Sequence, residues 1–237
     1  MASISLQPRR AELAAALSDA RIAPDVAAIH RLRVAAARCD VWLRMAGWNV
    51  LRSDLRRIRR AAGQVRELDL LRNLELPFAL ATWAESEHRD ASAALAVILE
   101  EKRTLALLAA LGVLPPLPRS AATRFMEREL EHLLRLRERA LRADASAGDL
   151  HATRRALRRM RFAGEWLGRK RDPPKRLLRD LGHLNDVVVA IARVRNAPDR
   201  EPSRDLLAAW SIEAKRRIEH AQGALRRAKL DLRKPRA

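Results

Sequence analysis

Apolar positions recur every three to four residues along most of the chain, with charged residues between them. Nowhere do they alternate with period two over the length of a strand. The pattern predicts helices throughout. Pro8 to Asp19 reads as a short first helix, with Leu13, Ala16 and Leu17 on one face. A second is expected to open at Pro24-Asp25, run to about Met45 and stop at Gly47. From near Val50, Leu51, Leu55, Ile58, Ala62 and Val65 form an apolar stripe. Gly63 is expected to interrupt it, with residues 64–74 continuing as a further piece. Residues 78–88 and 90–111 read as one or two helices. Gly112 to Pro118 (GVLPPLP) is the clearest linker, because proline cannot continue a helix and restricts the residue before it. Beyond it Ser120 is expected to cap a long charged helix reaching about Ala143, followed by a polar turn at 144–149. Leu150 to about Leu167, Lys175 to Gly182, Asn185 to Arg195 and Ser203 to Lys229 complete the series. Breaks are expected at 169–174 and 196–202, and a frayed tail at the end. The predicted fold class is all-α.

Charge changes the picture most. There are 48 basic and 29 acidic residues, a formal net charge of +19. That excess exceeds what solubility requires and points to a polyanionic partner: nucleic acid, an anionic membrane or a phosphate polymer. The chain is nonetheless 48% hydrophobic, too apolar for a disordered basic tail. Cys39 is the single cysteine, so no internal disulfide can form. The start of the chain lacks the apolar core of a secretory signal, and the most apolar run, 104–113, is too short to span a bilayer. A soluble cytoplasmic protein is the expectation.

The basic residues are patterned. His30, Arg33 and Arg38 recur at the same offsets as His151, Arg154 and Arg159. In each half a break follows, then a basic amphipathic helix expected to end in glycine. Setting Gly63 on Gly182 pairs Arg56 with Lys175, Arg57 with Arg176 and Arg60 with Arg179. At about 100° per residue, His151, Arg154, Arg158 and Arg161 fall within an arc of about 80°, opposite Thr153, Ala156, Leu157 and Met160. Cations at these spacings repel by a few tenths of a kcal/mol per pair, roughly, and Glu165 on the same arc offsets only part of that. An anion on this face relieves it. Arginine's planar fork suits phosphate oxygens, and histidine gains charge beside them. His30, Arg33 and Arg44 repeat the scheme in the first half, with Arg38 at the edge. Segments 52–60 and 175–179 supply further basic walls. For any one arginine a plain solvated surface is an equally good explanation; the repetition of His-x-x-Arg in both halves is what raises the set above it.

Other chemistries find little support. There is no HExxH, no cysteine pair, no carboxylate cluster at metal-ligand spacing and no Gly-rich phosphate loop, so no cofactor or metal is expected. Cys39 reads as core packing, and so do the five Trp. Glu67, Asp69 and Asp186 lie near the basic segments, where they are expected to orient arginines.

At these residues the chain resembles the conserved histidine α-helical domain (CHAD) family. His30-Arg-Leu-Arg33-Val34 with Arg38 matches its first motif. His151, Arg154, Arg158, Arg159, Arg161, Phe162 and Glu165 match a later one. Gly63-Gln-Val-Arg66-Glu67-Leu-Asp69 and Gly182-His-Leu-Asn185-Asp186 match the glycine–acid signature that follows each basic helix. Ala37 and Asp40 depart from the family's basic positions and Glu67 from its usual Asp, so the wall of the first half is expected to be the weaker. The resemblance implies one domain of two pseudo-symmetric helical bundles, 1–114 and 119–237, joined by the Pro-rich linker around a central basic groove or pore. It implies non-enzymatic binding of inorganic polyphosphate and association with polyphosphate granules. A helical nucleic-acid-binding module is the alternative, though aromatic residues for base stacking are sparse. A metal-dependent polyphosphate or triphosphate hydrolase built on Glu67, Asp69 or Asp186 ranks last.

Overall fold

The structure, a computed structural model, describes residues 2–169, 175–198 and 203–228. Most of the predicted breaks at 169–174 and 196–202, and all of the predicted tail, lie outside them. The described residues form nine helices and two strands of two residues each. The class is all-α, as the periodicity predicts. The strands escape any periodicity reading because two residues cannot show alternation: β1 (Ser3–Ile4) pairs antiparallel with β2 (Leu117–Pro118), inside the stretch read as linker.

The chain divides into two compact units. The first comprises 1–76 and 81–122, the second 77–80 and 123–237. In the first, α1 (Gln7–Ile22) packs on α2 (Val26–Ala46), α2 on α3 (Asn49–Arg72), and α1 and α3 on α5 (Lys102–Gly112). The buried positions are those of the apolar stripes: Leu13 and Leu17 of α1, Ile29, Leu32 and Trp42 of α2, Leu55, Ile58, Ala62 and Val65 of α3. Trp42 also donates its indole N–H to the Ile4 carbonyl at 3.3 Å, fixing β1 to α2. Trp48 departs from the core reading and is 44% exposed at the α2–α3 corner.

Local chemistry sets the helix ends. Asp25 caps α2 by accepting from the Ala28 N–H at 2.6 Å, and Gly47 ends it at φ +79°, a conformation a side chain disfavours. Gly63 does not interrupt α3, which is continuous. A single helical glycine costs about 1 kcal/mol against alanine, less than the burial on either side returns. Between 78 and 112 the break falls at Glu101, separating α4 (Phe78–Glu100) from α5. No proline or glycine marks it; Arg57 of α3 holds the Glu101 carboxylate there.

The second unit is built from most of α6 (Arg119–Ala140), α7 (Ala147–Trp166), α8 (Lys175–Arg195) and α9 (Arg204–Arg227). Ser120 lies inside the first turn of α6 and does not precede it. α7 opens three residues earlier than periodicity suggests, because Ser146 and Asp149 make a reciprocal capping box: Ser146 Oγ accepts from the Asp149 N–H at 3.2 Å and Asp149 Oδ2 from the Ser146 N–H at 3.0 Å. Leu136, Ala156, Leu157, Leu181, Leu184, Ala221 and Leu225 join four helices in one core. α8, expected in two pieces, runs unbroken through Gly182.

Candidate functional site

The two units treat their arginines differently. In the first, carboxylates neutralise much of the basic row. Asp40, read from the sequence as an interruption, is a buried hub on α2. Arg52 reaches it at 3.0 Å and Arg59 at 3.3 Å, both from α3, and Arg44 lies 3.8 Å away. Burial weakens the hold on the Arg59 charge, and the Asp40 carboxylate beside it offsets part of the loss. Arg57 forks onto Glu101, one of its two bonds measuring 2.5 Å. Arg38 stands 3.6 Å from Glu12 of α1.

The other predicted residues of this unit are outward-facing. His30 is exposed and Arg33 half-buried on α2. Arg56 is exposed and donates to its own helix, to the Arg52 carbonyl at 3.2 Å. Arg60 is exposed and Arg66 half-buried, and neither makes an ion pair with a described residue. Of the acids expected beside the basic face, Asp69 is buried and serves a histidine: His88 Nε2 lies 2.9 Å from Asp69 Oδ1. Nineteen residues separate the pair, and no periodicity links them.

In the second unit α7 carries the row. His151 is half-buried, with Nδ1 2.5 Å from Asn185 Oδ1 on α8. One turn on, Arg154 is half-buried against α8, where a Cβ at Gly182 would stand 3.9 Å from its Nη2. That is an ordinary van der Waals distance, so the guanidinium packs along the helix surface at Gly182 without needing the glycine's missing side chain. Arg154 Nε is sealed from solvent and has no hydrogen-bond partner. Burial weakens the hold on its charge, and only the attraction of Asp186 works the other way. Arg158 and Arg161 lie over the buried Phe162 ring, at 5.7 and 5.8 Å from its centroid. Arg161 is also 3.3 Å from Glu165. Arg159 points elsewhere, onto the buried Glu129 of α6 at 2.8 Å. On α8, Lys175, Arg176 and Arg179 are exposed and make no ion pair with a described residue.

The α7 row thus comprises His151, Arg154, Arg158 and Arg161, and α8, packed against α7, carries three exposed cations. The centre of the row, Arg154, is partly dehydrated yet unpaired. Such a cation is costly alone and gains most from an anion. Between α8 and α9 lies a second feature, a cavity of about 310 Å³ lined by Asp180, His183, Glu213, Arg216, Arg217 and His220. Its charges balance, which distinguishes it from the α7 row. No three His, Cys, Asp or Glu side chains among the described residues stand as a metal-binding group. The Cys39 thiol is buried and its pKa is pushed up to about 12, chiefly by that burial, in keeping with a packing role. No helix among the described residues is long and apolar enough to cross a membrane.

Residues 4–195 match the sequence profile described as the CHAD domain. Among solved structures, the CHAD domain from the plant Ricinus communis is 22% identical, with a TM-score of 0.62 over 97% of this chain and 90% of that one. PptA from Streptomyces chartreusis is 19% identical, with a TM-score of 0.69 over 95% of this chain and 98% of that one. Both likenesses are of fold. No curated protein sequence matches the chain.

Proposed function

The chain belongs to the CHAD domain family, and on that premise we propose that it binds inorganic polyphosphate, without hydrolysing it, through its basic helix faces. The α7–α8 face of the second unit is the principal one. The carrying observation is Arg154, a half-buried guanidinium without an ion-pair partner in the middle of a cationic row. A phosphate oxygen meets the accessible part of the half-buried Arg154 side chain and stabilises its weakly held charge, while Arg158 and Arg161, at helix-turn spacing, meet later units of the same chain. A flexible linear polyanion can follow that row. Binding of this kind carries the protein to polyphosphate granules.

The first-unit residues His30, Arg33, Arg38, Arg56, Arg60 and Arg66 bind polyphosphate more weakly, since Asp40 and Glu101 already hold the arginines around them. Binding is chiefly electrostatic, so affinity falls steeply with salt as counterions are released. The test is a salt-titrated binding isotherm with long-chain polyphosphate, repeated against duplex DNA as competitor. Tight, salt-sensitive binding that DNA displaces poorly supports the reading. Efficient displacement by DNA makes the face a nucleic-acid site. Orthophosphate release with magnesium makes the protein a hydrolase.

A further inference from the structure

His151 is the one member of the α7 row whose ring is held from another helix by a neutral side chain. Its Nδ1 meets Asn185 Oδ1 at 2.5 Å. An amide oxygen has no proton to give, so the ring proton sits on Nδ1 and donates. In the neutral ring Nε2 then carries only a lone pair. Ionised phosphate oxygens also offer only lone pairs, so the neutral ring has nothing to give them. A second proton, on Nε2, turns that atom into a donor and adds a charge. Asn185 accepts from Nδ1 in both states and keeps the ring in place while its charge changes.

We propose that Asn185 is a positioning residue that fixes the Nδ1-protonated form of His151, and that polyphosphate binding is coupled to proton uptake at His151 Nε2. The inference rests on the α7–α8 face being the polyphosphate site.

The surroundings set the sign. Burial first, then the charges of Arg155, Arg154 and Arg158 of the same helix, hold the His151 pKa below its ordinary 6.5, and the Asn185 bond pulls the other way. From α8 the direct neighbour is neutral Asn185; the next residue, Asp186, acts on Arg154. Asp149, half a turn earlier, is engaged by Ser146 and Arg139. α6 and α9 meet α7 on its apolar back, through Leu136, Ala221 and Leu225. The free ring is thus mostly neutral at pH 7. A polyanion neutralises the arginines and adds negative charge, which raises the pKa. Affinity must then increase as pH falls through the bound-state pKa towards the free one, by about tenfold for each unit separating them, and be flat outside that window.

The experiment is calorimetric titration of the full chain with long-chain polyphosphate, in buffers of different protonation enthalpy near pH 7. Long chains keep the titrating terminal phosphates few. Wild type is expected to take up a fraction of a proton per site, and His151→Gln to bind more weakly with that uptake gone. Asn185→Asp provides an independent variant. It keeps an acceptor for Nδ1 but charges the ring beforehand, so it should bind well with little uptake, and its His151 pKa, read by NMR, should be raised. Uptake unchanged in His151→Gln, or binding by wild type without uptake, overturns the inference and leaves the polyphosphate reading standing. Absence of binding by wild type overturns both.

Discussion

Replacing Arg154 by methionine should make the protein more stable and a poorer binder at once. The side chain lies against Gly182 with its Nε–H sealed from solvent and unpaired. A buried donor without an acceptor costs about 1–3 kcal/mol. Asp186 returns part of this through its charge, and the remainder of the group is only half-buried. Methionine keeps most of the stem that packs on α8 and removes the stranded group. The net expectation is a gain of about 1 kcal/mol, or about 2–4 °C in melting temperature for a chain of this length. Binding moves the other way. A charge-assisted hydrogen bond to phosphate contributes about 1.5–3 kcal/mol, so polyphosphate affinity should fall about 10- to 100-fold. The slope of log K against log salt should become shallower by about one. Thermal unfolding and a salt-titrated isotherm on the same preparation read both effects. A variant that melts earlier and binds as well as wild type would show that Arg154 is a structural residue and refute the reasoning.

Asp40→Asn removes the carboxylate shared by Arg44, Arg52 and Arg59 inside the first unit and should cost about 2–3 kcal/mol in urea unfolding. Gly47→Ala forces a side chain into φ +79° and should cost about 1 kcal/mol, whereas Gly182→Ala, where the new methyl meets Arg154 at an ordinary 3.9 Å, should be neutral or stabilising in the same assay. Cys39, with its thiol pKa pushed up to about 12, should resist a disulfide reagent at pH 8 until the protein unfolds; labelling at the rate of a free thiol would contradict its burial.

The helices and their buried faces were legible because a period of 3.6 is a property of each segment alone. Leu55, Ile58, Ala62 and Val65 sit in the core as the stripe predicts. What periodicity could not show depends on partners distant in sequence. Asp40 looked like a gap in a basic row because Arg52 and Arg59, its partners, come from the next helix. Arg57 and Arg159 looked equivalent to their neighbours until Glu101 and Glu129 closed on them. Gly63 and Gly182 carry the stop signal in sequence, yet packing on both sides overrides it. The burial of the Arg154 Nε–H without an acceptor, like the burial of Arg161 Nε on the same row, depends on how α7 packs and has no counterpart in the sequence pattern.

The most direct test is charge reversal on and off the α7 row. Polyphosphate affinity should fall about 100-fold or more in Arg154→Glu with Arg158→Glu. Each arginine gives up a charge-assisted hydrogen bond of about 1.5–3 kcal/mol, and the new carboxylates repel the phosphate chain. Arg204→Glu, on the exposed first turn of α9, removes the same charge per site and should change affinity only a few-fold. Equal losses per charge at all these positions would contradict the account, because net charge alone would then govern binding and the α7 row would have no special part.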